Sequence, residues 1–300
     1  MVQREIARHS ERLGVSRTTG IDVTPYVTNV RMRNPAMTNE SRFLVDVGVD
    51  GIPFPIKALS RVEPDGQATV ANISMRARLM HEFEAQWIDR FIQVLHKHRD
   101  RIGPKTLRQN VPDYMKELNA TAVRINFEYP FFVEKLTPVS KEKCLVKYAC
   151  SYSAKCPSLD NPPRAIFMIK IPCITTFPVS SVATPGGLFG QLSVLSVEIE
   201  SSQDVYAEDL IAIVDKHAVV PVYSFLTVDD QTEIIRKIHS EKKTSVVMID
   251  EVKGELARHS DIGSYSVECS NYGMLHSYTT VLHTEKSMWV PFSGYKDDDV

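Results

Sequence analysis

The chain contains no C-x-x-C pair, and its five cysteines, Cys144, Cys150, Cys156, Cys173 and Cys269, are odd in number. That usage fits neither a disulfide framework nor a zinc knuckle, and predicts buried, inert thiols. No apolar run reaches about 18 residues, so a transmembrane helix is not expected. The first 30 residues lack the apolar core of a signal peptide, and a cytoplasmic location is expected. Charge of either sign is not in excess: 35 Lys and Arg stand against 37 Asp and Glu, a formal net charge of −2. This excludes a general basic footprint for nucleic acid and a polybasic membrane anchor. The segment Thr184-Pro185-Gly186-Gly187-Leu188-Phe189-Gly190 lacks both G-x-G-x-x-G order and a Lys-Ser/Thr partner, so it is read as a reshaped substrate loop and not a phosphate cradle.

What is present is the balance of a soluble globular protein, 43% hydrophobic and 24% charged. Ala71, Ile73, Met75, Ala77 and Leu79 alternate with polar residues and predict a half-buried strand. Trp87, Ile88, Phe91 and Leu95 fall at helical spacing within 84–98. A second helix is predicted over 111–118, with Pro112 in its first turn. Strands are predicted around Val123 to Phe127 and over 145–152. The order then recurs. Strands are predicted over 165–173 and around Leu195 to Ile199, a helix capped by Asp204 runs to Ala218, and a further helix covers 246–256. Closing strands are read over 265–269 and 279–283. Residues 42–49 and 52–57 around Asp50-Gly51 read as a hairpin. The class expected is α+β, with helices on one face of antiparallel sheet.

Two central stretches carry the chemistry. One is Phe127-Glu128-Tyr129-Pro130-Phe131-Phe132-Val133-Glu134-Lys135, followed by Pro138-Val139-Ser140. The other is Ile171-Pro172-Cys173-Ile174-Thr175-Thr176-Phe177-Pro178-Val179-Ser180, followed by Gly190-Gln191-Leu192-Ser193. Together they resemble the prokaryotic type IB GTP cyclohydrolase family, which has Glu-Phe-Pro-Tyr-Phe-Ile-Glu-Lys, Pro-Val-Ser, Leu-Cys-Pro-Cys-Ser-Lys and Gly-Ala-His-Asn-Gln-Arg-Ser. Weaker matches in the same order are Asp89-Arg90-Phe91, Glu208-Asp209-Leu210-Ile211, Tyr223-Ser224, Asn271-Tyr272 and Leu275-His276. The resemblance covers roughly residues 70–285. It implies a bimodular tunnelling fold (T-fold), with a first module at 41–160 and a second at 161–290. An N-terminal arm at 1–40 and a disordered tail at 291–300 flank them. It also implies a homodimer or homotetramer with pockets at subunit interfaces.

The family uses a metal to activate water, and the breaks in the resemblance fall on its ligands. The two motif cysteines align with Phe177 and Val179, the motif histidine with Phe189, a glutamate with Pro221 and a final histidine with Tyr278. Phenylalanine, valine and proline donate nothing to a metal. Neither a metal site nor a cofactor is therefore expected. Phe177 and Phe189 imply a drier, more aromatic pocket suited to a planar ligand.

The remaining candidates keep two readings each. His276 is a catalytic acid or base, or a satisfied histidine at an interface. Tyr278, which replaces a ligand, donates a hydrogen bond in the pocket or has no such role. Gln191 and Ser193 orient a ligand or finish a turn before the strand. Tyr223 and Arg236 are carried over as substrate contacts, Arg236 standing near the family's base-anchoring glutamate with Glu233 close by. Cys173 is a buried strand thiol or a nucleophile without a visible base. The function expected is a repurposed, metal-independent enzyme of specialised metabolism acting on a small planar or heterocyclic molecule. The alternatives are a non-catalytic ligand binder, and a GTP cyclohydrolase whose metal has moved to other donors such as His81, His276 and His283.

Overall fold

The computed structural model describes residues 45–79, 86–183, 186–273 and 275–286. The arm at 1–40 and the tail at 291–300 lie outside the described residues, as does His81. Nine strands and five helices follow in the order β1 (Val45–Ala58), β2 (Gln67–Leu79), α1 (Trp87–Lys97), α2 (Pro104–Glu117), β3 (Ala120–Leu136), β4 (Lys143–Cys156), β5 (Arg164–Thr176), β6 (Gly190–Ser201), α3 (Ala207–His217), β7 (Val220–Pro221), α4 (Val228–Ser240), α5 (Ser245–Arg258), β8 (Ile262–Tyr272) and β9 (Thr279–Lys286).

All nine strands form one sheet in the order β1-β2-β3-β4-β5-β6-β8-β9, every neighbour antiparallel, with short β7 beside the last part of β5. Alternation in the sequence decides which face is covered. In β3, Val123, Ile125, Phe127, Tyr129 and Phe131 are buried, while Arg124, Asn126 and Glu128 point the other way. The buried set of every long strand from β1 to β8 joins a single core with Phe91, Leu107, Val111, Tyr114, Leu210, Val214, Met248 and Val252 from the helices. In α1, Trp87, Phe91, Val94 and Leu95 fall on one stripe, which is why that helix lies flat on the sheet. Fully burying a Phe or Ile of this kind contributes about 1.5–3 kcal/mol. Among the described residues, no helix covers the polar residues of the opposite sheet face.

Four local expectations are corrected. Asp50-Gly51 does not turn a hairpin. It is a bulge inside β1, where pairing jumps from Val49↔Met75 to Ile52↔Ile73. Gly51 takes φ +70°, and Asp50 is held by two bonds from the Arg76 guanidinium at 2.8 and 2.7 Å. The turn between β1 and β2 is made instead at Gly66, φ +85°, whose N–H donates to the Glu63 carbonyl. Helix α2 begins at Pro104, suited to a first helical position, so Pro112 lies within the helix. Asp204 does not cap α3, whose N-cap is Tyr206. The charges in its first turn have other partners: Glu208 accepts from Ser60 Oγ and the Arg61 N–H, and Asp209 pairs with Arg61. Finally, 228–240 is an additional helix, α4.

Candidate functional site

The site is built where β5 ends and β6 begins. The last strand pair is Thr176↔Gly190, and the Phe177 N–H donates to the Phe189 carbonyl at 2.9 Å, extending the pairing by one step. This places the two phenyl rings together, with centroids 5.0 Å apart and planes 17° from parallel. Phe177 is buried and Phe189 half-buried. Gly190 admits no side chain, since a Cβ there would sit 2.7 Å from Ile174 Cγ2 and 3.2 Å from Ile238 Cγ2. Helix α4 therefore packs directly onto the start of β6. Near its end, His239 Nδ1 donates to the Leu188 carbonyl. The α4–α5 connection is tied to the end of β5 by Thr176, whose N–H donates to Lys243 O at 2.7 Å and whose hydroxyl accepts from Lys243 N at 2.8 Å.

Strand β8 ends beside this corner. A Cβ on Gly273 would lie 3.4 Å from Phe177 Cε2, so the Gly273 backbone runs along the edge of that ring. Tyr272↔Thr279 then closes the β8–β9 hairpin, and its loop carries His276 and Tyr278. Their rings stack at 4.7 Å and 14°, and both are exposed. Two aromatic stacks thus stand at one end of the sheet, joined by the loop that starts at Gly273.

Gln191 and Ser193 do not form a turn. Both lie within β6 with buried side chains. They belong to a polar row crossing four strands. Thr175 and Ser193 hydroxyls are 2.8 Å apart, Ser193 Oγ donates to Asn271 Oδ1 at 2.7 Å, Gln191 Nε2 donates to Thr175 Oγ1 at 3.2 Å, and Asn271 Nδ2 donates to Thr280 Oγ1 at 3.4 Å. Beneath the row, Cys173 lies buried with its thiol against Met248 Sδ at 3.7 Å. Burial pushes that thiol far up, the state of an inert group and not of a nucleophile.

Tyr223 belongs to another cluster. Lys135 Nζ lies 6.0 Å from its ring centre and 5.5 Å from that of Tyr148, and pairs with Asp215. Burial raises the Asp215 carboxyl above its usual range, only partly offset by the Lys135 charge. Arg236 sits on the exposed side of α4, its guanidinium committed to Glu233 one turn back. The structure therefore brings Phe177 and Phe189 together beside the His276–Tyr278 loop, places Gln191 and Ser193 under them in the sheet, and leaves Tyr223 and Arg236 in separate surroundings.

Asp230 was not among the sequence candidates. From the first turn of α4, its Oδ1 accepts from the Val139 and Ser140 N–H groups at 2.8 and 2.9 Å, and its Oδ2 accepts from Ser140 Oγ and Thr227 Oγ1, both at 2.7 Å. The Pro138-Val139-Ser140 motif is thereby clamped to α4. Burial alone would raise the Asp230 carboxyl, but the bonds from Ser140, Thr227 and Val139 outweigh it and hold the group well below the usual carboxylate range. A Thr-x-x-Asp capping pattern at 227–230 was the available signal.

Among the described residues, no group of three or more His, Cys, Asp or Glu side chains is placed to hold a metal ion. A cleft of about 550 Å³ lies between α5 and β9 and is lined by residues including Val246, Val247, Leu282 and His283. Of the residues singled out in the sequence it takes in His283, one of the donors suggested for a relocated metal, and none of Phe177, Phe189, His276 and Tyr278. No helix among the described residues is long and apolar enough to cross a membrane.

A nine-stranded antiparallel sheet with helices packed on one face is an α+β tunnelling fold. Solved structures share it: a highly active mutant of Bacillus sp. TB-90 urate oxidase superposes with a TM-score of 0.52 at 9% identity, covering 81% of this chain and 100% of that one. A hyperthermostable mutant of the same enzyme gives 0.51 at 9% identity, covering 81% and 98%. Sequence narrows the class further. Residues 35–281 match the family described as type I GTP cyclohydrolase folE2, and the chain belongs to that family. It is 28% identical to GTP cyclohydrolase FolE2 of Geobacter sp. (strain M21) over 267 residues, 88% of this chain and 98% of the relative. With the FolE2 protein of Geotalea uraniireducens (strain Rf4) it is 30% identical over 240 residues, 80% and 87% of the two chains.

Proposed function

We propose that this member of the FolE2 family is a repurposed, metal-independent enzyme of the cytoplasm, acting on a small planar or heterocyclic metabolite. The single observation that carries the reading is the parallel stack of Phe177 on Phe189, at the positions where the family motifs place a metal-binding cysteine and histidine. A stacked phenyl wall offers a flat ring dispersion and quadrupole contact and offers a cation no donor. The other aligned positions, Val179, Pro221 and Tyr278, extend the misfit.

In this reading Phe177 and Phe189 hold the ring of the ligand. His276, exposed on the adjoining loop, moves a proton at its imidazole, and the Tyr278 hydroxyl donates to a polar edge of the ligand. Gln191 and Ser193 act from beneath by fixing the ends of β5, β6 and β8. Tyr223 and Arg236 reach a ligand only if the pocket is completed at a subunit interface. We infer a homodimer or homotetramer on that ground, built from two T-fold modules at 41–160 and 161–290. The non-catalytic alternative keeps the same aromatic wall and dispenses with His276.

Native mass spectrometry of the purified chain, compared with its denatured mass, tests the reading. A metal-free oligomer that does not turn over GTP is expected, and the mass of any co-purified molecule identifies the ligand class. A stoichiometric divalent metal, or GTP turnover that is lost on chelation, overturns it. Loss of turnover of an identified substrate in His276→Ala separates enzyme from binder.

A further inference from the structure

The sheet face that carries no helix among the described residues holds cations in direct register across four adjacent strands: Arg76 of β2 faces Arg124 of β3, Arg124 faces Lys155 of β4, and Lys155 faces Arg164 of β5. Side chains directly opposed in antiparallel sheet have Cβ atoms about 4.5–5.5 Å apart, and like charges so placed repel. The two ends of the row are neutralised within the chain. Arg76 is fixed to Asp50 at 2.7 Å, and Arg164 pairs with Glu200. The middle two are not: neither Arg124 nor Lys155 has a carboxylate partner among the described residues. The nearest acid along β3 on the same face is Glu128, four residues on, about 13 Å away at strand rise. The neighbouring register position supplies neutral polar groups. Ser153 Oγ donates to Asn126 Oδ1 at 2.8 Å, which leaves the Asn126 amide N–H groups free to donate across the face.

We propose that Arg124 and Lys155, with the Asn126 amide beside them, form an anion site that takes a phosphate group. Two adjacent cations with an amide donor between flanking ion pairs match a tetrahedral oxyanion, which accepts from several donors at once and removes the repulsion between them. The site is separate from the aromatic pocket. Its row meets β5 at Arg164, whereas Phe177 follows the other end of that strand, about 40 Å away at 3.3 Å per residue. It therefore does not rest on the function proposed above.

Isothermal titration of the full chain with inorganic phosphate, pyrophosphate and glycerol 3-phosphate at low ionic strength tests it. One site per chain is expected, weakening as salt is raised. Arg124→Gln and Lys155→Gln are each expected to lower affinity about tenfold or more, Lys155→Arg to retain it, and Lys253→Gln, on α5, to leave it unchanged. Circular dichroism confirms that each variant is folded. Tighter binding of glycerol 3-phosphate than of phosphate assigns the site to an ester, and equal binding assigns it to the free ion. No binding by the wild-type chain, or equal affinity in the two Gln variants, overturns the proposal.

Discussion

Asp230 and Ser140 are 90 residues apart in sequence, yet the backbone N–H and the hydroxyl of Ser140 both donate to the Asp230 carboxylate, at 2.9 and 2.7 Å. One side chain thus caps α4 and closes the β3–β4 loop at once. Removing it leaves the donors of Val139, Ser140 and Thr227 without an acceptor. Asp230→Ala should lower Tm by roughly 5 °C or more, taking 2–4 °C per kcal/mol for a chain of this size. A calorimetric scan showing no change would remove the clamp from the account.

The same carboxylate sets an acid response. Its folded pKa is depressed, so its contribution is fully present above the unfolded carboxylate value near pH 4. That contribution is lost as pH falls from there toward the folded value. Asp230→Asn should therefore show a shallower loss of stability on acidification than wild type, read by urea unfolding at steps between pH 5 and pH 2. Parallel curves would mean that its pKa does not differ between the folded and unfolded states.

The stacked rings should be coupled. Phe177→Ala removes a buried ring and should cost about 3 kcal/mol, at the low end for core Phe. Phe189→Ala, half-exposed, should cost less. A double-mutant cycle in urea should return about 0.5–1.5 kcal/mol of interaction between them. Strict additivity would indicate that the stack seen at 5.0 Å contributes nothing of its own.

Asn271 ties Ser193 and Gln191 together, so Asn271→Leu should cost about 1–3 kcal/mol for each buried polar group left unpaired. Ser193→Ala, which removes one hydroxyl and leaves the Gln191–Asn271 bond, should cost less. Chemical denaturation of the two variants orders them, and the reverse order would displace Asn271 from the centre of the row.

Cys173 should resist alkylation. Burial raises its thiol, and Cys269 beside it is pushed up to about 11. Iodoacetamide at pH 8 should label Cys173 only after denaturant is added, as followed by peptide mass spectrometry. Rapid labelling of the native chain would restore the nucleophile reading.

Most of the fold was legible because its strands bury one side and show the other, and alternations such as Val123-Ile125-Phe127 state this directly. Helix α4 was not legible, since Asp230 is its one fully buried residue and its packing runs through Ile238 against a glycine in a distant strand. The Asp50-Gly51 pair misled because the positive φ it supplies serves a bulge as well as a turn. At the site, the sequence exposed Phe177 and Phe189 as a pair. It hid the fates of Arg236 and Gln191, which depend on the Glu233 carboxylate that accepts from the Arg236 guanidinium and on a hydroxyl in another strand. Partners of that kind follow from register and helix phase, which residue types alone do not state.

The row from Thr175 through Ser193 and Asn271 to Thr280 also bears on how this sheet assembles. A sheet this wide, with long apolar strands, has many near-equivalent ways to slide. A one-residue slip of β8 would swing Asn271 to the opposite face and strand the Ser193 and Gln191 groups in the core without partners. Valine and isoleucine tolerate such sliding, whereas an amide that must meet two hydroxyls and a second amide does not. The polar row therefore acts as an index mark for the register of four strands, which sets Phe177, Phe189 and the His276 loop at the same end.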